Sequence, residues 1–222
     1  MNKVPLFDFE KDEVFLSAMQ YLFVRTQKGR GTMLSEGCIS FITQHGFFAA
    51  LGHNEAPDAL PYEGAELYAQ HSKDDEPPQA GRVLRSTPSG VYGALYDDYT
   101  PPVFSKLKVA PLDSLKADAP AELWMPIGVG EPRVFRGKIA ALFPDKPHPV
   151  LFEVQDDLFP GAQFGCSGSV IVQDGRMVAV VAGANENPAT LLYCTSAEQM
   201  AVDLYHMIFE FDEQEESTND AE

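Results

Sequence analysis

Short apolar and aromatic runs alternate with breaker residues along most of the chain. Six runs precede residue 100 and six follow residue 120, each rich in β-branched or aromatic side chains. Glycine, proline and aspartate clusters bound them, at spacings typical of β-barrels and β-sandwiches. The runs are MQYLFVRT, GCISFIT, GFFAALG, AELYAQHS, GRVLRS and VYGALYD, then ELWMPIG, VFRGKIAALF, PVLFEVQD, GSVIVQD, RMVAVVAGA and TLLYCT. The pattern predicts an all-β protein of two six-stranded antiparallel β-barrels.

The same pattern divides the chain into regions. Residues 1–36 are expected to form a short N-terminal helix and the first strand. The first barrel is expected over residues 20–100 and the second over residues 121–194. Residues 101–120, which contain prolines, are expected to link the two barrels.

After the second barrel the pattern becomes that of a helix, predicted over residues 195–209. Thr195 and Glu198 have the spacing of a capping box, in which the threonine is the N-cap and the glutamate reaches back to it. An apolar stripe continues along the segment. Residues 210–222 hold seven acids and no base, a composition that predicts a disordered acidic tail.

Charge and composition exclude several classes of function. The 222 residues carry a net charge of −17 and a sequence pI near 4.5, which repels phosphate backbones and anionic lipid head groups. No apolar run approaches the roughly 20 residues of a membrane span, and acids interrupt the start of the chain where a signal peptide would be apolar. We therefore expect a cytoplasmic protein that binds neither nucleic acid nor membrane.

Cysteine and histidine spacing gives no indication of a metal or cofactor. Cys38, Cys166 and Cys194 are an odd number without CxxC spacing, so neither a disulfide framework nor a zinc site is predicted. No HExxH sequence occurs. We expect no cofactor and no metal.

The segment FGCSGS, with Ser167 between two glycines, is the strongest local indication of chemistry. A serine in such a segment can sit on a tight turn that exposes its hydroxyl and directs nearby backbone N–H groups at one point, as in an oxyanion hole. A plain turn between strands remains the alternative interpretation. Cys166 could itself be a nucleophile, but a buried position beside the serine is favoured.

A serine nucleophile needs a base, and His53 is the best placed of five histidines. It follows the apolar run GFFAALG in the first predicted barrel, 114 residues before Ser167. A base on one barrel and a nucleophile on the other, in the order His then Ser, is the arrangement of chymotrypsin-like peptidases. An α/β-hydrolase esterase fits poorly, because that fold needs a strand-to-helix elbow and a histidine after the serine.

The segments GCISFITQHGFFAALGHN and FGCSGSVIVQDGRMVAVVAGANENPAT resemble the signature regions of the SpoIVB peptidases, serine peptidases of sporulation signalling. GRVLRSTPSGVYGAL and RVFRGKIAALF with HPVLFEVQDD resemble two further regions of that family, in the same order. The likeness covers roughly residues 37–200. The family's usual methionine is Cys166 here, its usual proline is Val170, and its leader and PDZ module find no counterpart in these 222 residues.

The resemblance implies a trypsin-like fold with His53 as general base and Ser167 as nucleophile. By analogy with trypsin-like turns, the N–H groups of Gly165 and Ser167 would form the oxyanion hole. The family's acid lies upstream of the nucleophile, which implies Asp156 here, with Asp157 as the alternative. In chymotrypsin-like proteins the acid comes instead from the first barrel, where the aspartates at 97 and 98 end a predicted strand.

Together these observations predict a serine endopeptidase acting on a protein or peptide, with narrow specificity or a need for an activating protein partner. The alternative is a catalytically weak or inactive peptidase-like scaffold that binds a protein partner. Trypsin-style activation is not expected, because Cys166 stands where an aspartate would pair with a new N-terminus.

Overall fold

A computed structural model describes the chain in segments, which together contain fourteen strands, one short 3-10 helix and one long α-helix. The described residues are 14–15, 21–28, 31–43, 46–51, 64, 66–70, 79–87, 90–96, 107–125, 133–162, 166–185 and 189–219. In this part of the chain, no helix is both long enough and apolar enough to cross a membrane.

The first half of the chain forms a closed six-stranded antiparallel barrel. Its strands neighbour one another in the order β3-β2-β5-β6-β7-β4, and β4 pairs back onto β3. The bounds are β2 Tyr21–Lys28, β3 Gly31–Thr43, β4 Phe47–Ala50, β5 Glu66–Gln70, β6 Gln79–Thr87 and β7 Gly90–Leu95. A two-residue strand, β1 Val14–Phe15, pairs with the end of β3.

The second half forms a second closed antiparallel barrel, in the order β12-β9-β10-β11-β14-β13, with β12 pairing back onto β13. The bounds are β9 Pro120–Met125, β10 Arg133–Leu142, β11 Val150–Val154, β12 Val170–Gln173, β13 Arg176–Ala184 and β14 Leu191–Ser196. The two-barrel prediction is therefore confirmed, and every barrel strand overlaps one of the twelve predicted runs.

In the segments before and between the two barrels, the structure departs from the sequence-based expectations at two places. Val14–Phe15, within the segment expected to be helical, is a strand, because it pairs with an edge of β3 that β2 does not reach. The expected linker contains β8 Lys108–Val109, which pairs in parallel with β13, and the 3-10 helix Leu112–Ser114.

The C-terminal helix, α1 Ala197–Asn219, begins later and ends later than expected. Thr195 stays in the ladder opposite Val180, so the hydroxyl of Ser196, not of Thr195, accepts the N–H of Gln199 at 3.3 Å. Glu198 does not reach back, because its carboxylate accepts the N–H of Leu112 at 2.7 Å. The helix also continues through residues 210–219, where a disordered tail was expected. The four glutamates and one glutamine of this stretch are good helix formers.

Three clusters of buried apolar residues lie in the described part of the chain. One lies inside each barrel. The third, which we term the inter-barrel cluster, joins outward-facing residues of both barrels to α1; it includes Ala49, Tyr92, Val170, Val180, Met200 and Leu204. The helix thus covers apolar side chains of both barrels, because each barrel presents an apolar outer face that it cannot bury alone.

Candidate functional site

Ser167 lies on a tight turn that leads into β12 of the second barrel. The N–H of Ser169 donates to the carbonyl of Cys166 at 3.0 Å, which closes a turn whose two central residues are Ser167 and Gly168. Gly168 has a φ of +84°, a value that glycine adopts without strain at the third position of a type II turn. Ser167 is half-buried, so the predicted nucleophile keeps part of its surface open to solvent.

Strand β13 holds this turn in place from the other side. The N–H of Gly168 donates to the Val181 carbonyl at 2.9 Å, and the N–H of Val181 donates to the Ser169 carbonyl at 2.8 Å. Ser169 and Val170, which follow the turn, are fully buried. The serine is therefore fixed on a rigid part of the barrel, as pre-organised chemistry requires.

Cys166 is buried, as expected, and is poorly suited to act as a nucleophile. Its side chain is 2% exposed, and its thiol donates to the carbonyl of Ala162 at 3.3 Å. Burial raises the pKa of Cys166 to about 11. The thiolate is the reactive form of cysteine, so at neutral pH this thiol is inert.

His53, Gly165 and the aspartates at 97 and 98 lie outside the described residues. The described chain reaches Leu51, two residues before His53. Leu51 packs against the inter-barrel cluster, which also contains Val170 of β12. Leu51 is two residues before the predicted base, and Val170 is three residues after the predicted nucleophile. The structure therefore brings both of them to the same cluster.

Of the histidines whose side chains are described, neither contacts Ser167. His148 lies within 3.3 Å of the Thr195 hydroxyl, through its Nδ1 atom. His206 is exposed on α1. Neither therefore competes with His53 for the role of base.

Asp156 is a turn residue after β11. Its Oδ1 accepts the N–H of Leu158 at 3.0 Å, and its Oδ2 accepts the N–H of Arg136 at 3.4 Å. An aspartate that bonds a backbone N–H two residues on is a common means of stabilising a turn. Asp157 is exposed. The contacts of Asp156 therefore give it a structural task.

Sequence reasoning missed a polar pair between α1 and the first barrel. The hydroxyl of Tyr92, a fully buried residue of β7, donates to Oδ2 of Asp203 at 3.2 Å. The Gln199 amide donates to Oδ1 of the same carboxylate at 2.8 Å. Asp203 falls between Met200 and Leu204, two buried residues of α1. An acid within the apolar stripe of the helix was therefore the sequence feature that could have indicated this polar pair.

Two surface depressions lie beside described residues, and Ser167 lines neither of them. One, of about 450 Å³, lies between the β10–β11 hairpin and the start of α1, with His148 and Thr195 in its wall. The other, of about 740 Å³, lies against β9 and β12, beside Trp124 and Arg136. Among the residues described, no three His, Cys, Asp or Glu side chains are grouped as metal ligands would be.

Comparisons with known proteins show the fold. The search of family models finds no match, and neither does the search of curated proteins. Among solved structures, the chain is similar to the HtrA-type protease AlgW with a tripeptide, at 12% identity and a TM-score of 0.54, over 84% of this chain and 58% of that one. AlgW with a decapeptide gives 10% identity and a TM-score of 0.55, over 89% of this chain and 63% of that one.

The protein therefore has the chymotrypsin-like two-barrel fold of HtrA-type serine proteases. The chain spans about three fifths of the length of these solved structures. At this level of identity the likeness concerns the fold alone.

Proposed function

We propose that the protein is a serine endopeptidase with Ser167 as nucleophile and His53 as general base. One observation carries the proposal: Ser167 is half-buried on a turn that the Ser169 N–H closes and that β13 holds, in a fold shared with HtrA-type proteases. In that position a partly exposed serine is held at the edge of one barrel, while the chain of the other barrel leads through Leu51 to a histidine.

The chemistry follows from these two groups. His53 would take the proton of the Ser167 hydroxyl as its Oγ attacks the peptide carbonyl, and would return that proton to the leaving amine. Water would then hydrolyse the acyl-enzyme and restore the free serine. The N–H groups of Gly165 and Ser167 would stabilise the oxyanion, a contribution whose loss lowers rates by about 10²–10³-fold.

The finer parts of the proposal rest on the sequence. Membership of the SpoIVB peptidase family, a cytoplasmic location, and control by narrow specificity or an activating partner are all proposed on that basis. The resemblance offers Asp156, then Asp157, as the third catalytic group. A peptide substrate is supported by the bound peptides in the AlgW structures, which belong to those proteins.

A catalytically weak scaffold that binds a protein partner is the competing proposal. It is favoured by the contacts of Asp156, whose carboxylate already holds two backbone N–H groups. Such a protein would keep the two barrels and the serine turn but would not activate Ser167.

Intact mass after incubation with a fluorophosphonate separates the two proposals, because only an activated serine displaces the fluoride. We expect one adduct on the native chain and none on Ser167→Ala or His53→Ala. Ser114→Ala is the matched control, since Ser114 is exposed and its hydroxyl bonds the carbonyl of Pro111. An adduct on the native chain that both variants lose would exclude the inactive scaffold, whereas a native chain that gains no adduct would favour either the scaffold or a site that needs its activating partner.

A further inference from the structure

A groove lies on the outer face of the second barrel, where β9 and β12 run side by side. Its volume of about 740 Å³ is within the range of about 300–1,000 Å³ that is typical of ligand sites. Its floor consists of Leu107, Trp124 and Val172, which belong to the inter-barrel cluster or pack against it. Val172 and the turn after β12 line this site, which we term the β9–β12 groove. It therefore extends to the end of β12 that is farther from Ser167.

Trp124 presents its indole ring to the β9–β12 groove with an acid fixed beside it. Glu122 and Trp124 are two residues apart on β9, so both lie on the outer face with Val172, the ladder partner of Glu122. The indole Nε1–H donates to Oε2 of Glu122 at 3.0 Å, which holds the carboxylate at the edge of the half-buried ring. A carboxylate accepts through both oxygens, so Glu122 can bond a ligand at the same time.

A second carboxylate borders the groove from a tight turn. Asp174 and Gly175 connect β12 to β13, and the residues on either side of them, Gln173 and Arg176, are ladder partners. Both turn residues have a positive φ, +51° and +72°, as in a type I′ hairpin turn. The position of Asp174 is therefore fixed by the ladder that its turn closes.

These groups together suit a guanidinium. An arginine head stacks on an aromatic face and pairs with carboxylates at its edge, while its methylene stem lies along apolar surface. The groove supplies the indole of Trp124, the carboxylates of Glu122 and Asp174, and an apolar floor. Each part of an arginine side chain thus meets a group that complements it.

The charge of the protein favours the same ligand. The chain carries a net charge of −17, so its field attracts basic partners. Within the groove, two carboxylates are accompanied by one cation, Arg136, which lies opposite Glu122 in the ladder. Arg136 repels a basic ligand and attracts an acidic one. Its removal should therefore strengthen the binding of a basic ligand and weaken that of an acidic one.

We propose that the β9–β12 groove binds an arginine-bearing segment of another polypeptide, with the guanidinium over Trp124 and beside the carboxylates of Glu122 and Asp174. A polypeptide segment is favoured over a small molecule because the groove is large for one side chain and extends from the β12–β13 turn to Gln155, after β11. The site does not use Ser167, so the inference is independent of the proposed peptidase chemistry.

The test is a binding titration of the full chain, followed by the fluorescence of Trp124, the single tryptophan of the sequence. The probe is an acetylated and amidated alanine peptide with one central arginine. The same peptide with citrulline in place of arginine keeps the shape and removes the charge. We expect the arginine peptide to bind at least about tenfold more tightly, because a cation–π contact and each of two ion pairs contribute about two- to fivefold at an exposed site.

Variants that remove single charges locate the binding site. We expect Glu122→Gln and Asp174→Asn each to weaken the binding of the arginine peptide by about two- to fivefold, and Arg136→Gln to strengthen it by a similar factor. Asp145→Asn is the matched control, because Asp145 is an exposed aspartate of the β10–β11 hairpin that does not line the groove. It removes one negative charge as the other two do, and it should leave the affinity unchanged.

Several results would overturn the proposal. One is equal binding of the arginine and citrulline peptides, or binding of neither at millimolar concentration by fluorescence and calorimetry. Another is an affinity that Glu122→Gln and Asp174→Asn leave unchanged, because the attraction would then come from the acidic protein as a whole. A glutamate peptide that binds more tightly than the arginine peptide, and loses its affinity in Arg136→Gln, would assign the groove to an acidic segment. Agmatine, a free guanidinium compound, would overturn the polypeptide as ligand if it bound as tightly as the arginine peptide.

Discussion

Gly137 in β10 lies against a neighbouring aromatic ring so closely that even a methyl group would not fit. A Cβ atom built there would lie 2.9 Å from Cε1 of Phe152 and closer still to the ring's Cζ and to the carbonyl oxygen of Glu153. Phe152 is fully buried in the second barrel. The carbonyl belongs to the strand that pairs with β10, so it cannot retreat without disturbing the ladder.

We expect Gly137→Ala to lower the free energy of unfolding by about 1–3 kcal/mol, the usual cost of overpacking a core. For a chain of this size, each kcal/mol changes the melting temperature by about 2–4 °C. Gly183 in β13 is the matched control, because a Cβ built on it meets no atom within 4 Å and its φ is not positive. Gly183→Ala should be neutral or should stabilise by up to about 1 kcal/mol through the unfolded state.

The measurement is urea unfolding followed by circular dichroism, with melting temperatures as a second readout. Both variants replace a strand glycine by alanine in the same barrel, so the change in backbone entropy is shared and only the contact differs. Equal midpoints for Gly137→Ala and the native chain, or equal shifts for the two variants, would refute the packing of Phe152 over Gly137.

Three further predictions concern the serine turn and Cys166, which begins it. Gly168→Ala places a side chain at a φ of +84°, which costs about 1–2 kcal/mol; unfolding should show that loss and fluorophosphonate labelling should slow, whereas native behaviour in both assays would contradict the turn. Cys166 should resist iodoacetamide at pH 8 in the folded chain, since a pKa of about 11 leaves about one thiol in a thousand ionised. Rapid alkylation of Cys166 at pH 8 would argue against its burial. The raised pKa of Cys166 also lowers the free energy of unfolding as pH rises from about 9 to about 11, because the thiol of the unfolded chain ionises first. Cys166→Ala should reduce this loss of stability at alkaline pH, as measured by urea unfolding over a pH series.

The strands could be predicted because each one is marked by a short apolar run within its own segment of sequence. Runs such as VIVQ in β12 and VAVV in β13 are apolar on both faces, which indicates burial on both sides of a strand. The first half of β3, GTMLSE from Gly31, has neither a strict alternation of polar and apolar residues nor a long apolar run, and it was missed for that reason. The N-cap of α1 is Ser196 and not Thr195, because Thr195 is still paired opposite Val180 in the sheet.

The candidate site was predictable only where its residues are adjacent in sequence. Gly165, Ser167 and Gly168 stand together, so the turn could be anticipated, and the positive φ of Gly168 agrees with it. Tyr92 and Asp203 are 111 residues apart, and their contact exists only once α1 lies against β7. No periodicity within either segment carries that information.

Strands β4 and β12 are buried on both faces, and their outward faces meet in the same apolar cluster. Ala49 of β4 and Val170 of β12 face out of their barrels, yet both are fully buried, because the opposing barrel and α1 cover them. The faces that lead to the proposed base and nucleophile are thus held by one shared apolar cluster. Displacing α1 would expose both faces at once and would separate Asp203 from Tyr92. The C-terminal helix is therefore part of the packing that joins the two barrels, so we expect the reactivity of Ser167 to depend on it.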